Sequence, residues 1–168
     1  GRLTPTAPYR DQPIYGILKP SSTYHFLTMP AKKTPAKAKP VAAKPAKGAR
    51  NILLVEDDQF LAKILGKTLE SNGYNVTYAI TGKEGLAKAD HADPQLIVLD
   101  IILPDIDGFE LLGKFKANPR VKHVPVIIVS NLGQEEDVQR GMALGASDYI
   151  IKSDLSLNDI VAKVKKYV

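Results

Sequence analysis

Four short apolar runs dominate the chain from residue 51 onward, and each stops abruptly at a polar residue. Ile52-Leu53-Leu54-Val55 stops at Glu56-Asp57-Asp58, and Leu96-Ile97-Val98-Leu99 at Asp100. Val126-Ile127-Ile128-Val129 stops at Ser130, and Tyr149-Ile150-Ile151 at Lys152. Unbroken apolar runs, as opposed to alternating ones, read as strands buried on both faces. That is the pattern of a parallel sheet covered by helices.

Between the runs, apolar residues return at helical spacing. Phe60, Leu61, Ile64, Leu65, Thr68 and Leu69 form one stripe, closed by the stop signal Asn72-Gly73. Leu157, Ile160, Val161 and Val164 form another, and the Lys-rich end that follows suits a helix C-terminus. Both stripes are assigned to the core. Strands are expected near 51–55, 75–79, 96–100, 125–129 and 148–151. Helices are expected near 58–72, 82–91, 107–117, 134–144 and 155–167. Five βα units in series predict an α/β fold, a five-stranded parallel sheet with helices on both faces.

In open parallel sheets, ligands bind at the carboxyl edge of the strands. Asp57 and Asp100 both fall on that edge, where their carboxylates repel each other. A cluster of carboxylate oxygens is the donor set that Mg²⁺ prefers. Acidic residues after strands also cap helices, and Asp58 is assigned that role. Ser130 and Lys152 each have an ordinary alternative, a helix cap and a surface lysine. Taken together, a hydroxyl, an ammonium and a carboxylate-held cation would surround Asp100. Pro104 presets φ in the loop leaving Asp100, and Gly108 is expected to supply a conformation other residues resist.

At these positions the chain resembles the receiver domains of two-component response regulators, of the chemotaxis-receiver type. The matching stretches are LLVEDD (53–58), LIVLDIILPDIDG (96–108), VIIVSN (126–131) and GASDYIIK (145–152). The resemblance runs from about Asn51 to Val168 and implies a flavodoxin-like, doubly wound (βα)5 fold. It implies that Asp100 is the phosphate acceptor. Mg²⁺ would be held by Asp57, Asp100 and the backbone carbonyl of Ile102, with Glu56 acting through water. It makes Ser130 the switch hydroxyl, Tyr149 the switch aromatic and Lys152 the pocket lysine. The implied partners are a sensor histidine kinase or histidine phosphotransfer protein and a downstream protein target, with a phosphorylation-dependent dimer as a further expectation. Ile102 and Leu132 occupy the two positions that border the route of water to the acyl phosphate in this family. Both are aliphatic, so a long-lived phosphorylated form is expected. The family usually has Pro after the lysine, often with a cis peptide; this chain has Ser153.

The net charge of +5 conceals a split. Residues 1–50 carry ten Lys or Arg against Asp11 alone; the remainder carries 13 basic and 17 acidic groups. Eight of the 12 prolines lie at or before Pro45, which sets a domain boundary near Ala49-Arg50-Asn51. Residues 1–50 are therefore expected to be a disordered basic tail, and 51–168 the receiver domain. From Pro30 to Gly48 the sequence is almost wholly Ala, Lys and Pro, too poor in apolar surface to offset the entropy of ordering. In composition it resembles the tails of linker histones and some bacterial nucleoid proteins, and non-specific nucleic-acid binding is expected of it. Met29 reads as a native start and residues 1–28 as an extension ahead of it.

There is no Cys, which excludes disulfides and thiolate metal sites. His25, His91 and His123 are scattered without metal-site spacing. No apolar run approaches the roughly 20 residues that cross a bilayer, and no signal-peptide pattern opens the chain, so a cytoplasmic protein without membrane insertion is expected. No further module follows Val168, so output is expected from a stand-alone receiver through protein contacts or the tail. Two other functions compete with a phosphorelay acceptor. One is a Mg²⁺-dependent aspartyl phosphohydrolase, whose nucleophile would follow the first strand in an Asp-x-Asp pattern; here that strand ends Glu-Asp-Asp. The other is a nucleic-acid or scaffold protein with an inert receiver fold, against which stands the intact Asp57, Asp100, Ser130 and Lys152 set.

Overall fold

The computed structural model describes residues 48–154 and 156–168. The extension before Met29 and the basic tail up to residue 47 lie outside them, and the expected boundary near Ala49-Arg50-Asn51 falls where the described residues begin. The strands are β1 (Asn51–Val55), β2 (Asn75–Ala79), β3 (Leu96–Leu99), β4 (Val126–Ser130) and β5 (Asp148–Ile151). The helices are α1 (Gln59–Ser71), α2 (Gly82–Ala92), α3 (Gly108–Ala117), α4 (Glu135–Ala143) and α5 (Leu157–Tyr167). All strand pairings are parallel, in the order β2-β1-β3-β4-β5. This is the flavodoxin-like order.

Successive residues of a strand point to opposite faces of the sheet, so each apolar run feeds two cores. Leu53, Val55, Ile97, Leu99, Val126 and Ile128 face α2 and α3 and meet Ala89, Leu112 and Phe115. Ile52, Leu54, Leu96, Val98, Ile127 and Val129 face α1 and α5 and meet Leu65, Leu69, Ile160 and Val164. The central strands β1, β3 and β4 are buried on both faces, which is why their apolar runs are unbroken, whereas the edge strand β2 alternates Asn75, Thr77 with Val76, Tyr78 and is half-buried. No helix among the described residues is long and apolar enough to cross a membrane.

Three expectations are corrected. Phe60 is no part of the core; it is 74% exposed. Asp58 caps α1, its carboxylate accepting the Phe60 and Leu61 N–H groups, and this fixes the rotational phase of the helix. Ala62, Leu65, Gly66 and Leu69 then face the sheet. At about 100° per residue, Phe60 lies about 200° round from Ala62. Leu157 is on the correct face of α5, but at its first turn it is 41% exposed. Gly108 needs no special φ; the described glycines with positive φ are Gly48, Gly73 and Gly145. Its constraint is steric, and it is taken up in the Discussion.

Candidate phosphoryl-acceptor pocket

The strand order reverses between β1 and β3, which opens a crevice at their carboxyl ends. Backbone hydrogen bonds fix the rim. The Asp100 N–H donates to the Val55 carbonyl at 2.9 Å, and the Glu56 N–H to the Ala79 carbonyl at 3.0 Å. The first residue beyond β3 is thus tied to the end of β1, and the first beyond β1 to the end of β2.

Glu56, Asp57 and Asp100 each present a carboxylate oxygen, and these oxygens lie within 4.8 Å of one another. Asp57 is exposed, whereas Glu56 and Asp100 are only 1% and 3% exposed. Lys152 enters from the turn after β5 and bridges the two buried groups. Its ammonium lies 2.7 Å from Asp100 Oδ2 and 2.8 Å from Glu56 Oε1. The other Asp100 oxygen, Oδ1, accepts the Ile102 N–H at 3.1 Å. Burial pushes the Glu56 carboxyl up to about 7, against the opposing pull of Lys152. Burial also works against the Lys152 charge, but its hydrogen bonds to Asp100 and Glu56 outweigh that, and its pKa is raised.

Three carboxylates against one ammonium leave a formal surplus of two negative charges in a largely buried crevice. A divalent cation with a preference for oxygen ligands balances that surplus, so the donor set fits Mg²⁺. The Glu56–Lys152 bond was not legible beforehand, because it joins residues 96 apart in sequence.

Ser130 is the last residue of β4 and is fully buried. It does not cap α4, whose N-cap is Gln134 without a side-chain bond. Its Oγ accepts the Leu132 N–H at 3.3 Å. The Leu132 carbonyl in turn accepts the Tyr149 hydroxyl at 2.8 Å. Tyr149 therefore already packs against the core, its ring beside Gly141. Tyr149→Phe removes the hydroxyl bond alone and should cost about 1 kcal/mol in urea unfolding. A cost near zero would mean that the hydroxyl does not hold the β4–α4 loop.

The loop after Asp100 is clamped at its far side. The Asp105 carboxylate accepts the Gly82 N–H at 2.8 Å and the Lys83 N–H at 3.0 Å, at the start of α2. Both bonds favour its ionised form, and its pKa is lowered. Lys152 begins a 3₁₀ turn, Lys152–Asp154. No peptide bond among the described residues is cis, so Lys152–Ser153 is trans.

The family model for the response regulator receiver domain matches residues 52–165. The chain belongs to the response regulator receiver family. A receiver domain protein (CheY-like) from Methanospirillum hungatei JF-1 superimposes with a TM-score of 0.64 at 34% identity, covering 70% of this chain and 92% of that one. The chemotaxis protein CheY4 of Vibrio cholerae does so with a TM-score of 0.67 at 26% identity, covering 71% and 99%. The DNA-binding dual master transcriptional regulator RpaA of Synechocystis is 34% identical over 114 residues, which are 68% of this chain and 47% of that protein. The chain spans about half the length of curated relatives such as this. Receiver domains are phosphoacceptors that partner with histidine kinases, and an acidic cluster such as Glu56, Asp57 and Asp100 is typical of their Mg²⁺ site.

Exposed apolar residues also follow the strand ends, which sequence patterning concealed. Phe60, Ile80, Ile102 and Leu157 are all large, apolar and exposed. Each follows the carboxyl end of a strand, β1, β2, β3 and β5 respectively. The only early signal was that four apolar residues fall close after strand ends, and helical periodicity had claimed two of them.

Proposed function

We propose that this receiver accepts a phosphoryl group on Asp100 from a phosphohistidine of a sensor kinase or phosphotransfer protein, and signals through phosphorylation-dependent contacts with a protein target. One observation carries the reading. Asp100 is a buried carboxylate with one oxygen held by the Ile102 N–H and the other by Lys152, beside two further carboxylates. A carboxylate oxygen of Asp100 attacks phosphorus, the P–N bond breaks, and the imidazole leaves with a proton. Phosphoryl transfer of this kind depends on positioning and charge neutralisation. Lys152 offsets charge on the acyl phosphate and keeps Asp100 aimed. Asp57, Asp100 and the Ile102 carbonyl would hold Mg²⁺, with Glu56 through water. Bound there, the ion neutralises the incoming phosphoryl oxygens. Ser130 turns to donate its hydroxyl to a phosphoryl oxygen, and the turn draws its Oγ away from the Leu132 N–H. Because Tyr149 is bonded to the same Leu132, the change reaches the α4 and β5 surface.

Incubation with a small phosphodonor, with and without Mg²⁺, tests this. One base-labile phosphoryl group per chain, dependent on Mg²⁺, is expected. Incorporation without Mg²⁺ dependence, or steady turnover of a simple phosphate ester, would overturn the reading in favour of other chemistry.

The exposed apolar side chains that follow the strand ends suit a partner that brings its histidine on an apolar helical face. Phe60→Ala should slow transfer from a phosphohistidine protein at least about fivefold, as expected for an aromatic anchor worth more than about 1 kcal/mol. The rate with the small donor should stay unchanged. Equal rates from the protein donor would show that Phe60 is not a docking residue.

The acyl phosphate should be long-lived. Ile102 is 51% exposed, and Leu132 is half-buried with both backbone polar groups engaged. Neither side chain can hydrogen-bond a water, and orientation of the attacking water carries much of the rate in related chemistry. Label decay at neutral pH should accelerate in Ile102→Asn and Leu132→Glu. Unchanged decay in both would mean that these side chains do not gate water.

A further inference from the structure

The domain is electrically polarised along its strands. Its carboxyl edge holds the acidic pocket and acidic helix starts, including Glu135, Glu136 and Asp137 of α4. Its amino edge holds unpaired cations, beside the acidic Asp90 and Asp93 and the Lys163-paired Asp148. Arg50 precedes β1, Arg120 and Lys122 precede β4, and Lys165 and Lys166 end α5. All five are exposed. Among the described residues, none of them forms an ion pair. Arg120 donates to the Asp90 backbone carbonyl at 3.1 Å, which leaves its charge uncompensated.

One of these cations, Arg50, lines a concavity, and Lys122 and Lys166 are sequence neighbours of its lining residues His123 and Tyr167. A cleft of about 420 Å³ at this edge is lined by Arg50, His123 and Tyr167, with Asp93 as its one acidic side chain. The Lys166 ammonium sits 5.2 Å from the centre of the Tyr167 ring. The Arg50 and Ala49 carbonyls accept from Asn75 at 2.9 and 3.4 Å, so the chain enters the domain at this edge. In sequence, nine of the ten cations of residues 1–50 precede Gly48. Lysines at a helix C-terminus complement its dipole, which accounts for Lys165 and Lys166. It does not account for Arg50, Arg120 and Lys122, which belong to no helix.

We propose that the amino edge of the sheet is a nucleic-acid-backbone site, formed by Arg50, Arg120, Lys122, Lys165 and Lys166. The partner is a polyanion with regularly spaced phosphates, bound without base readout. An anionic membrane suits the edge less well, because no large exposed apolar side chain lines the cleft to enter lipid. The site lies at the opposite end of the strands from Asp100, so it neither needs nor blocks the phosphoryl chemistry.

The test uses the full chain and a labelled duplex of arbitrary sequence, titrated by fluorescence anisotropy between ~50 and ~200 mM salt. The combined variant Arg50→Ser, Lys122→Ser, Lys165→Ser, Lys166→Ser should lower the slope of log affinity against log salt by about 2–4, at about 0.9 per lost phosphate contact. Lys63→Ser with Lys83→Ser, exposed cations of α1 and α2, should leave the slope unchanged. The charge-conserving set Arg50→Lys, Lys122→Arg, Lys165→Arg, Lys166→Arg should bind as the unaltered chain does. Should the combined variant lose its circular dichroism, Lys122→Ser and Lys166→Ser are read singly, each lowering the slope by about 1. An unchanged slope, or equal losses in the two Ser sets, would place all binding elsewhere in the chain and overturn the proposal. So would binding to anionic lipid vesicles but not to the duplex.

Discussion

Asp100→Asn should reduce labelling by a small phosphodonor to background. The amide matches the carboxylate in shape, but its oxygen is a poor nucleophile and no acyl phosphate forms. The local hydrogen bonds sharpen the expectation. Asp100 accepts on both sides, from the Ile102 N–H and from Lys152. An amide has one acceptor oxygen and one donor nitrogen, so it can satisfy only one of these donors. Either the NH₂ group faces the Lys152 ammonium, or it faces the Ile102 N–H. Aim is lost along with nucleophilicity. The fold should survive, because Lys152 keeps Glu56 as a partner and the crowding of three carboxylates is relieved. The measurements are phosphoryl incorporation, mapped by peptide, and the urea midpoint. Full labelling in the variant, mapped to another residue, would remove Asp100 as the acceptor.

Gly108→Val should destabilise the domain by roughly 2–4 kcal/mol and lower phosphorylation with it. A Cβ on Gly108 would fall 2.3 Å from Ile101 Cα, 2.7 Å from the Ile101 oxygen and 2.8 Å from the Asp100 oxygen. These are backbone atoms, so no side chain can rotate away. The Gly108 N–H donates to the Ile101 carbonyl at 3.0 Å, and a Cβ would force that bond open. The strain reaches the pocket directly, since the displaced segment contains Asp100 and the Ile102 N–H. Gly113→Val is the comparison, because nothing lies within 4 Å of its added Cβ. It should cost nothing measurable or stabilise slightly, because Val has open space there and a higher helix propensity than the glycine it replaces in α3. Equal urea midpoints for the two variants would show that the loop relaxes freely and that the close approach carries no energy.

The legible part of this protein is the part written locally. Aliphatic runs of four residues with no polar interruption, too short for a buried helix, read as strands covered on both sides, and Ile52–Val55 and Leu96–Leu99 are so placed. A polar residue that ends such a run must lie at a strand end, which put Glu56, Asp57, Asp100, Ser130 and Lys152 on one edge before any coordinates were known. Asp58 as a cap was equally local, a matter of one carboxylate and the N–H groups two and three residues on. What needed tertiary structure were the quantities that depend on residues far apart in sequence. Lys152 bonds both Glu56 and Asp100 because strand order brings β5, β3 and β1 ends around one crevice. Gly108 is constrained by the backbone passing beneath it and not by its own φ. Phe60 carries the helical spacing of a core residue but sits exposed, since hydrophobicity fixes a period while the cap at Asp58 and the position of the sheet fix its phase. Sequence alone determined the fold class and the chemistry of the strand ends. Only the tertiary structure decided which of those groups touch, because contact depends on distances across the sheet that no local pattern encodes.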